Sequence, residues 1–315
     1  MTKLKGILLT EGMHGMISQV EGLAKALDIN FSHHTVETKG FWKIIPPKFT
    51  PITDRVFKEI DCKNIDIIIS CGRKSIIPSI FLKKNSKKKI FTIHIQNPKV
   101  KLGNFDLIVV PEHDNLDGDN VLKTKGAIHY LTSEEIENNK EYLFSISRNL
   151  KDRNIISLII GGPTQYYDYS DRNIQEIFSK VNYLVKHNNL SLVVIPSMRT
   201  PKETIEHAKI YFGNDHLVLD NVDKKAYLSA LSISKHIVVT CDSSSMISEA
   251  ALTGKPIYIA NIPAKKSDKR FKNFRKLFQE MKIIRELGEK LENWNYEKLD
   301  ETNRIANIIK DKIQL

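Results

Sequence analysis

The sequence predicts an α/β protein of two tandem domains, each a doubly wound parallel sheet. Three observations support this. Runs such as residues 66–70, 155–160 and 237–240 are near-continuously apolar and β-branched instead of alternating, as strands buried on both faces require. Each runs into a polar or glycine-containing turn and then into residues of helical periodicity, unit after unit. The series restarts after residue 150, and 315 residues exceed one small core but suit two domains.

Residues 4–10 open the chain as a strand, followed by the turn Glu11-Gly12-Met13-His14-Gly15. A helix over 16–27 follows, with Ile17, Val20, Leu23, Ala24 and Leu27 on one face. Gly12 and Gly15 let backbone approach a ligand. His14, at the turn tip, is a candidate general base near neutral pH, set against the plainer reading of a solvated loop histidine. Residues 31–37 form the second strand. Phe41-Trp42-Lys43-Ile44-Ile45-Pro46-Pro47 cannot stay regular past its prolines. It reads as an aromatic-rich loop that either meets an acceptor or membrane or packs over the sheet edge. The strand at 66–70 ends in Cys71-Gly72-Arg73-Lys74-Ser75, before a helix over 76–82. Strands at 90–95 and 106–110 lead into Gln96-Asn97-Pro98-Lys99 and Pro111-Glu112-His113-Asp114. A short strand at 121–123 precedes Lys125-Gly126-Ala127-Ile128-His129. Parallel strands end on one sheet edge, so His14, Arg73, Gln96, Glu112, His113 and His129 are expected to converge there.

Residues 133–150 read as a charged helix capped by Ser133. In the second domain, strands at 155–160, 190–195, 216–219, 237–240 and 257–259 alternate with helices at 171–187, 202–212, 221–231 and 246–252. Three turns follow buried strands: Gly161-Gly162-Pro163-Thr164, Ser197-Met198-Arg199-Thr200 and Asp242-Ser243-Ser244-Ser245. The glycines offer backbone donors, Arg199 a planar guanidinium fork for a diphosphate, and the serines hydroxyls. Asp242 is expected as the helix cap, with Ser243, Ser244, Ser245 and Met246 facing the ligand. Glu249, one to two turns on, is placed to reach a ribose diol, the plainer reading being an exposed helix glutamate. No D-x-D pattern or ligand spacing points to a metal. Residues 266–281 form an amphipathic helix with a cationic face and Phe271, Phe274, Leu277 and Phe278 on the other. A last helix covers residues 300–313.

Hydrophobic content of 41% with 27% charged residues describes a soluble globular chain. No apolar run reaches the roughly 18 residues a membrane span needs, and the N-terminus lacks the apolar length of a signal peptide. Cys62, Cys71 and Cys241 are scattered, in keeping with a reducing cytoplasm. The formal net charge of +11 suits an anionic partner such as a nucleotide or an acidic lipid surface. No basic stripe with interleaved aromatics is present, so nucleic acid is not an expected partner.

Several segments together carry a resemblance. They are Ile95-Gln96-Asn97-Pro98, residues 105–114, Gly161-Gly162-Pro163-Thr164, Pro196-Ser197-Met198-Arg199-Thr200-Pro201, residues 240–251 with Thr253-Gly254-Lys255-Pro256, and Trp294-Asn295-Tyr296 with Leu299-Asp300-Glu301-Thr302. With them the chain resembles the mitochondrial-fission ELM (elongated mitochondria) family, whose bacterial members carry a predicted nucleoside-diphosphate-sugar epimerase label. In the first loop the family has Gly-Lys-Ala-Gly-His, whereas Gly12-Met13-His14-Gly15-Met16 here lacks the lysine.

The resemblance implies the GT-B architecture of two Rossmann-like domains: residues 1–150 on the acceptor side, 151–298 on the nucleotide-diphosphate side, and a helix over 299–315 returning to the first domain. It implies a metal-independent glycosyltransferase of cell-envelope or surface glycan synthesis, with no tightly bound cofactor and a UDP-sugar as substrate. A nucleotide-sugar epimerase and a non-enzymatic adaptor are the alternatives. His14 or His113 is expected as the base. Gly12, Gly15, Gly72, Arg73, Gln96, Glu112, Lys125 and His129 are expected on the acceptor or sugar side. Gly161, Gly162, Thr164, Ser197, Arg199, Asp242, Ser243, Ser244, Ser245, Met246 and Glu249 are expected around the diphosphate. The sequence does not name the acceptor, a lipid-linked one being an option, and the protein is expected to be cytoplasmic, peripheral contact with an anionic inner-membrane face being a further option.

Overall fold

The computed structural model describes residues 3–62 and 64–313. The chain forms two compact units, one of the residues up to Tyr130 together with those from Asp300 onward, the other Leu131–Leu299.

In the first unit six strands form one parallel sheet: β1 (Lys5–Thr10), β2 (Asn30–Thr35), β3 (Ile67–Cys71), β4 (Phe91–Ile95), β5 (Leu107–Pro111) and β6 (Val121–Thr124). Their order is β2-β1-β3-β4-β5-β6. Helices α1 (His14–Ala26) and α2 (Ile76–Asn85) belong to this unit. The uninterrupted Ile67-Ile68-Ile69 run follows from burial on both sheet faces. Ile67 and Ile69 pack with Val20 and Leu23 of α1 and with Ile305, Ala306 and Ile309, while Ile68 packs with Val56, Phe57 and Ile77 on the opposite side.

The second unit opens with short helices α3 (Ser133–Asn138) and α4 (Tyr142–Ile146). Strands β7 (Ile155–Ile160), β8 (Ser191–Pro196), β9 (Leu217–Val218), β10 (His236–Thr240), β11 (Ile257–Ala260) and β12 (Ile284–Glu286) form its parallel sheet, in the order β12-β11-β10-β7-β8-β9. Helices α5 (Asp171–His187), α6 (Lys202–Phe212), α7 (Lys224–Ile233), α8 (Ser244–Ala251) and α9 (Lys269–Glu280) flank it. Helix α10 (Glu301–Ile313) then supplies Ile305, Ala306 and Ile309 to the first unit's core. Residues 314 and 315 of the returning segment lie outside the described residues.

Three expectations are corrected. The division falls at Tyr130–Leu131, not near residue 150. Residues 131–150 are tied to α7: the Tyr142 hydroxyl donates to Asp223 Oδ2 (2.7 Å), Leu143 N donates to Ser229 Oγ (3.1 Å), and Ser229 Oγ donates to Lys140 O (2.8 Å). The single helix over 133–150 is two short ones. Thr132, not Ser133, caps the first by accepting from Glu135 N (3.0 Å), and Asn139 Nδ2 donates to Glu135 O (2.8 Å), a side-chain bond that competes with helix continuation. Strand β12 carries only three residues, too few to show a period in sequence. No described helix is long and apolar enough to cross a membrane.

Candidate functional site

A doubly wound sheet opens a crevice where its winding reverses, at the carboxyl ends of the strands. In the second sheet β7 has β8 on one side and β10 on the other, so the reversal lies between the turns after β7 and β10. Those turns hold Gly161-Gly162 and Asp242-Ser243.

Asp242 is the centre of the local network. Its side chain is 0% exposed, and its Oδ2 accepts from Arg199 Nη2 (2.7 Å) and from Gly162 N (3.0 Å). Arg199 Nη1 donates to Gly162 O (2.9 Å), so one guanidinium clamps both the carboxylate and the turn backbone. Asp242 Oδ1 is buried and has no hydrogen-bond partner among the described residues. Neither glycine has room for a side chain: an added Cβ would overlap the Asp242 carboxylate at Gly161 and the Arg199 carbonyl at Gly162. The glycines bring three turns into contact. Gly161 N donates to Thr240 Oγ1 (2.8 Å), and Gly161 O accepts from Thr200 Oγ1 (2.6 Å). Ser197 N donates to Thr200 Oγ1 (2.8 Å), and Arg199 N donates to Ser197 Oγ (3.3 Å). Tyr169, whose phenol burial pushes up, donates to Gly161 O (3.4 Å).

This revises several roles. The glycine N–H groups are not presented to a ligand, because Thr240 and Asp242 accept from them. Asp242 is not the helix cap; Ser243 is, its Oγ accepting from Met246 N (3.4 Å). Arg199 is not a wholly free fork, since two of its donors are committed, although its side chain is 40% exposed and its remaining N–H groups are uncommitted to that clamp. Thr164 Oγ1 accepts from Tyr166 N (3.2 Å) within its own turn. The first turn of α8 still presents the N–H groups of Ser244 and Ser245, which helix geometry leaves without intrahelical acceptors. Glu249 is no ordinary exposed glutamate. It is half-buried, its Oε2 accepts from the Tyr227 hydroxyl (2.7 Å), and burial pushes its carboxyl up to about 7.

In the first unit the reversal lies between β1 and β3, beside Gly12 and Gly72. Both glycines have positive φ, +83° and +95°, which favours glycine over any L side chain. Glu11 fills this position: its Oε1 accepts from Lys74 N (3.1 Å), and its Oε2 pairs with Lys74 Nζ (3.5 Å). Arg73 is not a cation offered at the edge, because its guanidinium donates to the carbonyls of Lys43 and Ile44. His14 begins α1 with its Nε2 3.5 Å from the Tyr130 hydroxyl, and Gly15 beside it has open space where a Cβ would stand. Gln96 holds φ +89°, rare for a side-chain-bearing residue, with its N donating to Val109 O (2.8 Å). Glu112 and His113 form a short turn after β5, with His113 Nε2 3.8 Å from Asp114 Oδ1. His129 is buried and bracketed by Thr302, which accepts from its N–H (3.1 Å) and donates to its carbonyl (2.8 Å). Lys125 N donates to Glu301 Oε2 (2.7 Å). His129 and the Lys125 backbone therefore anchor α10. Sequence reasoning missed Glu11, Tyr169, Thr200, Thr240 and Tyr227; only the strand-end position of Glu11 and Thr240 signalled them.

Two parallel six-stranded α/β units of this kind define the GT-B-like class. A crystal structure of UDP-GlcNAc 2-epimerase from Neisseria meningitidis bound to UDP-GlcNAc is similar with a TM-score of 0.59 at 12% identity, covering 99% of this chain and 100% of that one. A UDP-glucosyltransferase from Polygonum tinctorium is similar with a TM-score of 0.51 at 10% identity, over 99% and 90%. At the level of sequence, the family described as Mitochondrial fission ELM1 matches residues 14–313, and the chain belongs to it. The Mitochondrial fission protein ELM1 of Arabidopsis thaliana is 25% identical over 282 residues, spanning 78% of this chain and 64% of that protein. An uncharacterised protein of Rickettsia prowazekii (strain Madrid E) is 28% identical over 287 residues, 79% and 80% of the two chains.

Proposed function

We propose that this chain is a nucleotide-sugar glycosyltransferase whose second unit holds the nucleoside diphosphate of a UDP-sugar. The observation that carries the reading is the Arg199–Asp242–Gly162 clamp beside the serine-capped start of α8, at the carboxyl-end reversal of the sheet. Asp242 fixes the guanidinium, so the remaining N–H groups of Arg199 need no reordering to meet an anion. The N–H groups and hydroxyls of Ser244 and Ser245 add the positive end of the helix dipole. Together they stabilise the charge that develops on a departing diphosphate when the glycosidic bond breaks. Glu249, held by Tyr227, accepts or shares a proton with the ribose hydroxyls. The first unit carries the acceptor side, and His14 or His113 takes the proton of the attacking hydroxyl.

Calorimetric titration with UDP, with other nucleoside diphosphates for comparison, tests the reading. Binding that is lost in Arg199→Ala supports it, and no binding of any nucleoside diphosphate by the folded wild-type chain ends it. Product analysis then separates the chemistries: UDP released only with an acceptor marks transfer, whereas acceptor-independent change of the sugar marks epimerisation. Whichever of His14→Ala and His113→Ala abolishes turnover while preserving UDP affinity names the base.

A further inference from the structure

Residues 36–58, which follow β2, form a loop with two populations of apolar side chains. An antiparallel bridge between Thr38 and Phe57 closes its base, with Lys39 N donating to Val56 O (2.7 Å) and Lys58 N to Glu37 O (2.9 Å). Arg73, after β3, donates to the carbonyls of Lys43 and Ile44, fixing the loop beside the carboxyl edge of the first sheet. Val56 and Phe57 are buried, and Trp42 packs against the same core cluster. The second population faces outward: Phe41 is 62% exposed, Ile44 75%, Phe49 67% and Ile52 39%. Single exposed apolar residues are ordinary, but four within one closed loop are not. Between Glu37 and Asp54 the chain has no acidic residue, whereas Lys39, Lys43 and Lys48 are all exposed. Lys48 Nζ lies 4.6 Å from the centroid of the Phe49 ring, so cation and aromatic share one surface.

We propose that this loop docks the first unit onto an anionic phospholipid bilayer. Phe41, Ile44, Phe49 and Ile52 enter the interface, and Lys39, Lys43 and Lys48 meet the headgroups. Over residues 38–53 aromatic and aliphatic side chains are interleaved with lysines, Asp54 near the base being the one acid inside the bridge, and this matches a surface that is apolar below and anionic above. The ordered base means that little chain entropy opposes insertion. The inference does not depend on the nucleotide reading, because it rests on other residues of the other unit.

Co-sedimentation of the full chain with vesicles of phosphatidylcholine alone, or with added phosphatidylglycerol, tests it. The wild type is expected in the pellet with the anionic vesicles and largely in the supernatant with the neutral ones. Phe41→Ser/Ile44→Ser/Phe49→Ser is expected to lower the partition coefficient at least about tenfold, with the melting temperature unchanged because these side chains are exposed. Ile44→Asp, at the most exposed of these positions, gives the same direction from a single change. Phe49→Trp is expected to show a blue-shifted emission on anionic vesicles. Failure of the wild type to pellet, as a purely protein-binding loop would behave, overturns the proposal. So does wild-type binding by the loop variants while Lys269→Glu/Arg270→Glu/Lys276→Glu in α9 abolishes it.

Discussion

Each sheet reverses its winding beside its own first strand, the first after two strands and the second after three, yet the two reversals hold opposite chemistry. In the first unit Glu11 occupies the crevice and caps the chain at Lys74, so the protein already supplies an anion there. In the second unit the acid, Asp242, is turned inward onto Arg199 and Gly162, and the mouth is left to a guanidinium and the start of a helix. One fold thus gives a crevice filled by its own carboxylate and a crevice that, on the proposed function, receives an external anion. The lesson is that a topological switch point supplies a location, while the orientation of one acidic side chain sets the sign of what can bind.

Substitutions can break or sharpen that contrast. The largest effect is expected from Gly162→Ala, whose new Cβ overlaps the Arg199 carbonyl, a backbone atom that cannot swing away. A stability loss of about 3 kcal/mol or more is expected in urea unfolding, and a loss below about 1 kcal/mol would mean the turns are looser than described. Arg199→Ala removes the cation that faces the crevice. UDP affinity by calorimetry is expected to fall about 100-fold, with destabilisation as Asp242 loses its partner in the interior.

Glu249→Gln addresses pH. Burial raises the carboxyl of Glu249 to about 7, so the folded state holds a proton that the unfolded chain releases from about pH 4.5 upward. Wild-type stability from this group therefore falls as pH rises between those values. The Gln variant is expected to gain roughly 1–3 kcal/mol over wild type at pH 8 and nothing at pH 4, measured by denaturation at both. The smallest effect is expected from Glu11→Gln, which removes a partly exposed pair with Lys74 but keeps an acceptor for the Lys74 N–H. A cost of about 1 kcal/mol or less is expected, with UDP affinity unchanged. A change in UDP affinity there would erase the distinction between the two crevices.

Most of the architecture was legible because strands buried on both faces leave continuous β-branched runs and parallel connections leave helices between them. The runs ending at Thr10, Ser70, Ile160 and Thr240 are of this kind, and so is the pairing of each with a polar turn. The boundary was misplaced because residues 131–150 carry helix-forming composition whatever they pack on, and only their bonds to Asp223 and Ser229 assign them to the second unit.

By itself the sequence determined the fold class, the strand order along the chain and the set of polar turns, since hydrophobic period and turn chemistry are local. Tertiary structure decided which polar groups remain available. Asp242 and Ser243 are neighbours in sequence and both plausible caps, yet one is buried on Arg199 and the other caps α8. Glu249 sits on an exposed-looking helix position, and only the contact with Tyr227 and its burial raise its carboxyl. Those outcomes depend on residues 22 to 80 positions away, brought together by the sheet, and no local pattern encodes them.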